Sequence, residues 1–147
     1  NTQWLRKKFG NMFRIGLENN NYYPTKAYDV IADADFISQV VRENKLFFLF
    51  DLAHAQVTAS NKKIDYQEYL ESLPMDLMLQ MHICRPRIDK KISRDTHYLP
   101  NKKMFKEVKL LANKYKNLKF FKIENYKDTK KLINNINSLK KILQSKS

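Results

Sequence analysis

The chain has 147 residues, 43% of them hydrophobic, one cysteine and a formal net charge of +13. This length gives one domain with a real core, and the lone cysteine excludes an internal disulfide framework. No run reaches the roughly 20 apolar residues that span a bilayer, and the amino terminus has no signal-peptide core, so we expect one cytoplasmic domain over residues 1–147 with no membrane partner.

The basic excess belongs to the last third of the chain. Residues 1–100 carry 14 Lys/Arg and 12 Asp/Glu, a net of +2, whereas residues 101–147 carry 14 and 3, a net of +11. No arginine follows Arg94. Because arginine is the residue that clamps phosphates and reads base edges, lysines on solvated helix faces are the simpler interpretation. We therefore expect no nucleic-acid partner.

The first half of the chain predicts two strands around one helix. Apolar runs at 12–19 and 46–54, rich in Phe, Ile and Leu, are typical of strands buried on both faces. Between them, residues 25–44 repeat apolar positions at close to 3.6 residues, and Thr25 after Pro24 is a plausible N-cap.

The second half continues the alternation. A short helix over 65–74 is stopped by Pro74, a strand follows at 77–85, and a helix at 101–117 precedes the strand at 118–125. The final helix covers 128–145 with Asp128 as its cap. Four strand and helix units in this order predict an α/β fold with a parallel sheet, helical crossovers and all four strands buried on both faces. No G-x-G-x-x-G or P-loop supports a nucleotide site.

Acidic and imidazole side chains collect where the predicted strands end. In parallel α/β proteins functional groups gather at the carboxyl ends of the strands. The candidates, which include all three histidines of the chain, are Glu18, Asp51, His54, His82, Asp95, His97 and Glu124. Asp95 and His97 are two residues apart and would share one face of an extended segment.

Such a set predicts a metal site. Four carboxylates and three imidazoles on one rim would repel or leave one another unpaired unless cations neutralised them. Mixed His and carboxylate ligation suits iron, manganese or zinc, and a carboxylate such as Glu18 can bridge two ions. Taken singly, a strand-end His is also explained by a hydrogen bond and an Asp by a helix cap. Strand alternation places the Cys84 side chain on the same side of its strand as His82, so it could face the same cavity. The alternative is that Cys84 is a small buried residue that fills space in the core.

Four stretches of sequence carry a family resemblance. "GLENN", "FDLAHAQVTASNKKIDYQEYLESLP", "MHICRP" and "DTH" occur in an order that resembles the carboxyl-terminal half of the multinuclear non-heme iron-dependent oxidative enzymes. The resemblance is specific over residues 15–99 and weaker through "FFKIEN" to the end. Members of this family are similar to the xylose-isomerase-type (β/α)8 barrels, and some modify cysteine residues of ribosomally made peptides, as in methanobactin biosynthesis.

The resemblance implies an iron centre and its ligands. It makes Glu18 a bridging or terminal iron ligand, in a site of two or three ions. It also assigns ligand positions to the Asp51 and His54 pair, the strand-end His82, the Asp95 and His97 pair, and Glu124. The implied activity is dioxygen-dependent oxidation of peptide cysteines, and the implied partners are a precursor peptide and a protein that binds its leader.

The resemblance also implies half of a (β/α)8 barrel, since a whole barrel needs roughly 250 residues and four units are present. We therefore expect a fragment, one piece of a split protein, or a half barrel that pairs with a copy of itself or with a complementary chain. Two other functions remain open at this point. One is a zinc- or manganese-dependent barrel hydrolase or isomerase, and the other is a non-catalytic relic or interaction module.

Overall fold

A computed structural model describes residues 2–125 and 127–145. It contains six α-helices, six strands and two short 3-10 turns. The helices are α1 (Thr2–Phe9), α2 (Ala34–Glu43), α3 (Leu52–Lys62), α4 (Tyr66–Ser72), α5 (Lys102–Lys114) and α6 (Thr129–Gln144). The strands are β1 (Gly16–Glu18), β2 (Phe47–Asp51), β3 (Met78–Ile83), β4 (Arg85–Arg87), β5 (Arg94–Tyr98) and β6 (Phe120–Ile123).

Four strands form one sheet in the order β1-β2-β3-β6, and every neighbouring pair is parallel. The predicted parallel α/β fold is therefore confirmed. Strands β4 and β5 form a separate antiparallel ribbon inserted between β3 and α5. Because the carboxyl ends of parallel strands meet at one edge, the residues that end β1, β2, β3 and β6 become neighbours.

The two faces of the sheet have different surroundings. On one face Phe48, Phe50 and Met81 are fully buried and join a core cluster with apolar residues of α2 to α6. The opposite face carries Phe47, 37% exposed, and Phe120, 54% exposed. The expectation that all four strands are buried on both faces is wrong, because the helices of the described chain pack against one face.

Three predicted boundaries in the first half are wrong. The strand predicted for 12–19 is shorter, since β1 covers Gly16–Glu18 and a 3-10 turn over Gly10–Met12 precedes it. Helix α2 begins at Ala34 because Asp33 caps it, accepting a hydrogen bond from the Phe36 N–H at 3.0 Å, and residues 24–32 form turns. Thr25 is therefore not a cap. The strand predicted for 46–54 ends at Asp51, and α3 starts at the next residue without a loop. Helices α1 and α3 and the antiparallel ribbon were not predicted.

The remaining helices agree with the sequence prediction. Helix α4 ends at Ser72 shortly before Pro74, and α5 lies within the predicted 101–117. The Asp128 carboxylate caps α6 by accepting the Lys131 N–H at 3.0 Å. Within the described residues, no helix has both the length and the apolar character needed to cross a membrane.

Candidate metal centre

All seven candidate side chains meet at the carboxyl edge of the sheet. Glu18 and Asp51 end β1 and β2, His54 lies in the first turn of α3, His82 is in β3, Asp95 and His97 are in β5, and Glu124 directly follows β6. Six of them form a closed ring in which carboxylates and imidazoles alternate, and Asp51 lies beside the ring, near His82. The expectation that side chains at the carboxyl ends of parallel strands lie close together therefore predicted this cluster.

One half of the ring runs through the two histidines of β3 and β5. The Nδ1 atom of His82 lies 3.2 Å from Glu18 Oε1 and 3.4 Å from Glu124 Oε1. The other oxygen of Glu124 is 3.1 Å from His97 Nε2. Glu124 thus spans the two imidazoles with its two oxygens, and Lys122 Nζ contacts the same carboxylate at 2.7 Å.

The other half runs through Asp95 and His54. Asp95 Oδ2 is 3.3 Å from His97 Nε2 and 3.4 Å from His54 Nε2. His54 Nδ1 lies 2.8 Å from the Asn19 carbonyl oxygen and 3.7 Å from Glu18 Oε1, which closes the ring. Each ring carboxylate therefore contacts two imidazoles.

Asp51 combines a structural bond with an unsatisfied atom. Its side chain is fully buried, and Oδ1 accepts the His54 N–H at 2.8 Å as the N-cap of α3. Its Oδ2 has no hydrogen-bond partner among the described residues and lies 3.9 Å from His82 Nδ1. Burial raises the pKa of Asp51 to about 6, and the nearby His54 charge offsets that rise only in part. A buried carboxylate oxygen without a donor is costly unless a cation contacts it.

The His54 and Asp95 pair is held in its charged form. Burial alone would lower the pKa of His54, but the hydrogen bond to Asp95 and the charge of Asp51 outweigh it and raise that pKa to about 9. Burial would raise the pKa of Asp95, and the hydrogen bond with His54 together with the His97 N–H lowers it below its usual value. In the metal-free protein His54 is therefore held as an imidazolium between carboxylates, and binding of an ion at this ring would displace its proton.

Three sets of three residues place their ligand atoms within 4.8 Å of one another. The sets are Glu18, Asp51 and His54; Asp51, His82 and Glu124; and Cys84, Asp95 and His97. Asp51 belongs to two sets, so its carboxylate lies where one group could contact two ions. Together the sets contain oxygen, nitrogen and sulfur donors, a combination that suits first-row transition metals.

Cys84 faces this cluster, as strand alternation from His82 allowed. Its thiol is fully buried and donates to Asp95 Oδ1 at 3.5 Å. Burial, reinforced by the charges of Asp51 and Asp95, raises the pKa of Cys84 far above its usual value. The thiol is therefore protonated in these surroundings, and its deprotonation would require a cation.

His97 departs from the predicted extended geometry. Its backbone is left-handed, with φ of 48°. The Asn125 side chain donates to the His97 carbonyl at 2.8 Å, and its own oxygen accepts from the backbone N–H groups of Lys127 and Asp128. On this bent backbone the imidazole lies 3.1 Å from Glu124.

Sequence reasoning missed the side chains that hold the ligands in place. Asn19 links β1 to β2, since its Oδ1 accepts from Asp51 N at 2.7 Å and its Nδ2 donates to Asp51 O at 3.0 Å. Gln80 Nε2 lies 2.9 Å from His82 Nε2. Strand alternation places Gln80 on the face of His82 and could have identified it, whereas the bridging role of Asn19 has no local signal.

The sequence that builds this site is similar to known proteins. A family model described as "RiPP precursor modification enzyme MbnB/TglH/ChrH" matches residues 9–144; RiPPs are ribosomally made, post-translationally modified peptides. Two proteins named "UPF0276 protein", from Caulobacter vibrioides strains NA1000 / CB15N and ATCC 19089 / CIP 103742 / CB 15, are each 33% identical to this chain over 84 residues. Those residues are 57% of this chain and 30% of each relative, so the match spans less than a third of either relative.

Proposed function

Because the chain belongs to the MbnB/TglH/ChrH family of RiPP precursor modification enzymes, we propose that it supplies the metal ligands of an iron enzyme. In this proposal the enzyme uses dioxygen to oxidise cysteine residues of a ribosomally made peptide. The observation that carries the proposal is the buried, unpartnered Asp51 Oδ2 beside a ring of carboxylates and imidazoles. Such an atom is best satisfied by a cation.

The donor set fits iron. Imidazole nitrogen, carboxylate oxygen and a thiol sulfur are all ligands that iron accepts, and the three sets correspond to the two or three ions that the family resemblance implies. In the proposal Asp51, which belongs to two of the sets, and Glu18 would both be among the ligands that hold the iron. Bound iron would supply the redox chemistry, with dioxygen as acceptor of the electrons removed from the substrate cysteine.

The chain's own residues would orient the ligands and admit the substrate. Metal-bound histidines usually donate their second N–H to a neighbouring acceptor, and the amide of Gln80 can take that role toward His82 by turning its oxygen to Nε2. Glu18 and His97 are the more exposed members of the ring, with side chains 37% and 28% accessible. A substrate thiolate would approach from their side.

We also propose that the sheet is half of a (β/α)8 barrel. Its four parallel strands follow one another in chain order, and the face bearing Phe47 and Phe120 is partly exposed. In the proposal a complementary half, in the same protein, in a partner chain or in a second copy, pairs with β1 and β6 and covers that face. A leader-binding protein and a precursor peptide complete the proposed assembly.

Metal analysis provides the first test. Protein purified with and without oxygen is analysed for iron, zinc and manganese, beside the variants His82→Ala and Asp95→Ala. The control Asp65→Asn changes an exposed helix cap remote from the ring. We expect super-stoichiometric iron in wild type and control, and its loss in the two ligand variants. No iron after anaerobic loading would contradict the proposal.

Reactivity provides the second test. Iron-loaded protein is mixed with a cysteine-containing peptide and, separately, with the same peptide carrying serine. Mass change and oxygen uptake should appear with the cysteine peptide alone. Stable zinc or manganese binding without any oxidation would favour a hydrolase or isomerase, and a folded chain that binds no metal would favour an interaction module.

A further inference from the structure

The antiparallel ribbon of β4 and β5 has two chemically different faces. Asp95 and His97 lie on the side of the metal centre, and Pro86 is buried. The exposed residues of the two strands are Arg85, Arg87, Arg94 and Tyr98. One thin ribbon therefore separates a candidate metal site from a cationic surface.

The ladder of this ribbon sets two arginines directly opposite each other. Arg87 pairs with Arg94, and Arg85 pairs with Tyr98. Like charges at opposed positions of an antiparallel pair destabilise it. Arg87 is offset only by Asp89, at 3.4 Å, and Arg94 makes no salt bridge with residues 2–125 or 127–145. The turn between the strands adds Lys90 and Lys91. We call Arg85, Arg87, Lys90, Lys91 and Arg94 the ribbon patch.

The residue type at this patch is itself informative. The chain has six arginines, and three of them stand on this ribbon, whereas the basic last third uses lysine alone. A guanidinium holds a carboxylate by two parallel hydrogen bonds, which lysine cannot do. Arg85 lies 5.3 Å from the Tyr98 ring centre and donates to the Leu99 carbonyl at 3.3 Å, so its position is fixed before any partner arrives.

Apolar side chains accompany these cations. Ile88 is 56% exposed and Ile92 is 40% exposed, both in the turn of the ribbon. Ile92 lines a depression of about 310 Å³ together with Arg87, Asp89, Lys91 and Arg94. A surface that combines arginines with exposed isoleucines matches a peptide whose acidic residues alternate with apolar ones. A phosphate backbone would use the arginines but leave the isoleucines in water.

We propose that the ribbon patch docks an acidic, partly apolar segment of the peptide substrate. This inference rests on the proposed function and names the recognition element of the same site. Charge complementarity to Arg87 and Arg94 relieves the repulsion within the ladder. Docking on the outer face of the ribbon holds the peptide on the opposite face of the strand that carries Asp95 and His97. A cysteine elsewhere in the same peptide can then reach the metal centre.

Binding is measured by fluorescence anisotropy with a labelled short peptide in which Glu alternates with Ile and Leu and which contains no cysteine. The same peptide with Lys in place of Glu and a labelled single-stranded DNA of matched length are run beside it. All titrations are repeated with chelator and after iron loading. Because the peptide has no cysteine and binding is read with chelator present, failure of the iron proposal leaves this result unaffected.

Charge variants decide where the peptide binds. The double variant Arg87→Glu with Arg94→Glu should weaken binding of the acidic peptide by about tenfold or more. Its matched control is Lys140→Glu with Lys141→Glu, the same charge change on exposed positions of α6, and should alter binding by less than about twofold. If both double variants weaken binding of the acidic peptide equally, the effect comes from net charge alone and the proposal is overturned. Tighter binding of the DNA than of the acidic peptide would also overturn it.

A second pair protects the test against misfolding. Arg87→Gln with Arg94→Gln removes the opposed charges without adding new ones, so thermal unfolding should occur at the same or a higher temperature. This variant should keep the wild-type metal content and still lose affinity for the acidic peptide. Unchanged affinity in a folded, metal-loaded variant would refute the role of the ribbon patch.

Discussion

Substitution of Asp51 by asparagine separates what this residue does for stability from what it does for metal binding. Asparagine is as good an N-cap as aspartate, so the bond from the His54 N–H to Oδ1 is retained. What changes is the charge on the buried, unpartnered Oδ2. We expect Asp51→Asn to stabilise the chelator-treated protein and to abolish binding of the shared ion.

The size of the gain follows from the pKa. Burial raises the pKa of Asp51 from 3.8 to about 6, so the folded state holds the proton more tightly than the unfolded state. Stability from this group is present below pH 4 and is lost as the pH rises through 6. A rise of about two pKa units corresponds to roughly 3 kcal/mol, which is the upper limit of the gain at pH 7.5.

Urea unfolding from pH 3.5 to 8, with chelator present, measures this effect. The stability difference between Asp51→Asn and wild type should grow between pH 4 and 6 and then level off. Asp65→Asn, an exposed N-cap whose carboxylate accepts from Gln67 and Glu68, is the matched control and should not stabilise the protein at pH 7.5. If Asp51→Asn lowers stability at pH 7.5 while helix content is preserved, the reasoning about Oδ2 is refuted.

Three further predictions concern the groups around Asp51. Gln80→Leu should leave unfolding nearly unchanged but weaken metal binding by about 10- to 100-fold in chelator competition, because His82 loses its orienting partner; undiminished affinity would count against that role. Asn19→Ala should cost about 2–4 kcal/mol in urea unfolding, since two buried hydrogen bonds between β1 and β2 are lost, and a cost below about 1 kcal/mol would contradict it. For His54, whose pKa is raised to about 9, the contribution to stability is complete below pH 6.5 and is lost as the pH rises through 9. In metal-free protein the loss should be about 3 kcal/mol. The variant His54→Gln should remove this loss from the curve of stability against pH, and an unchanged curve would refute the prediction.

The cluster was predictable because it follows from a topological rule. Once the sheet is parallel, Asp51 and His82 must lie at one edge, and their register confirms that they are partners across β2 and β3. The start of α3 was not predictable from periodicity, since the run from Leu46 continues into Leu52 without a turn residue. The cap at Asp51 alone marks where the strand ends and the helix begins.

The ribbon and the supporting side chains escaped prediction for a different reason. Residues 85–94 lack the regular alternation of polar and apolar positions that predicts a strand, and they include Pro86. The sequence therefore predicts a loop there. The contacts of Asn19 and Asn125 join segments that are distant in sequence, and amide side chains have no periodic signature. Short-range pattern therefore located the ligands, while their orientation depended on tertiary contacts.

The spacing of Asp51 and His54 has one physical origin that explains both the fold and the candidate chemistry. An N-cap carboxylate accepts the N–H of the third helical residue, which here is His54. This bond holds Oδ1 on the helix, while Oδ2 lies 3.9 Å from His82 Nδ1 and the His54 imidazole lies 3.4 Å from Asp95. Asp51→Ala would remove the cap, at a cost of about 1 kcal/mol, together with the central carboxylate, whereas Asp51→Asn keeps the cap. Loss of metal in both variants, with the alanine variant about 1 kcal/mol less stable than the asparagine variant at pH 7.5, would show that a single carboxylate performs two separable tasks.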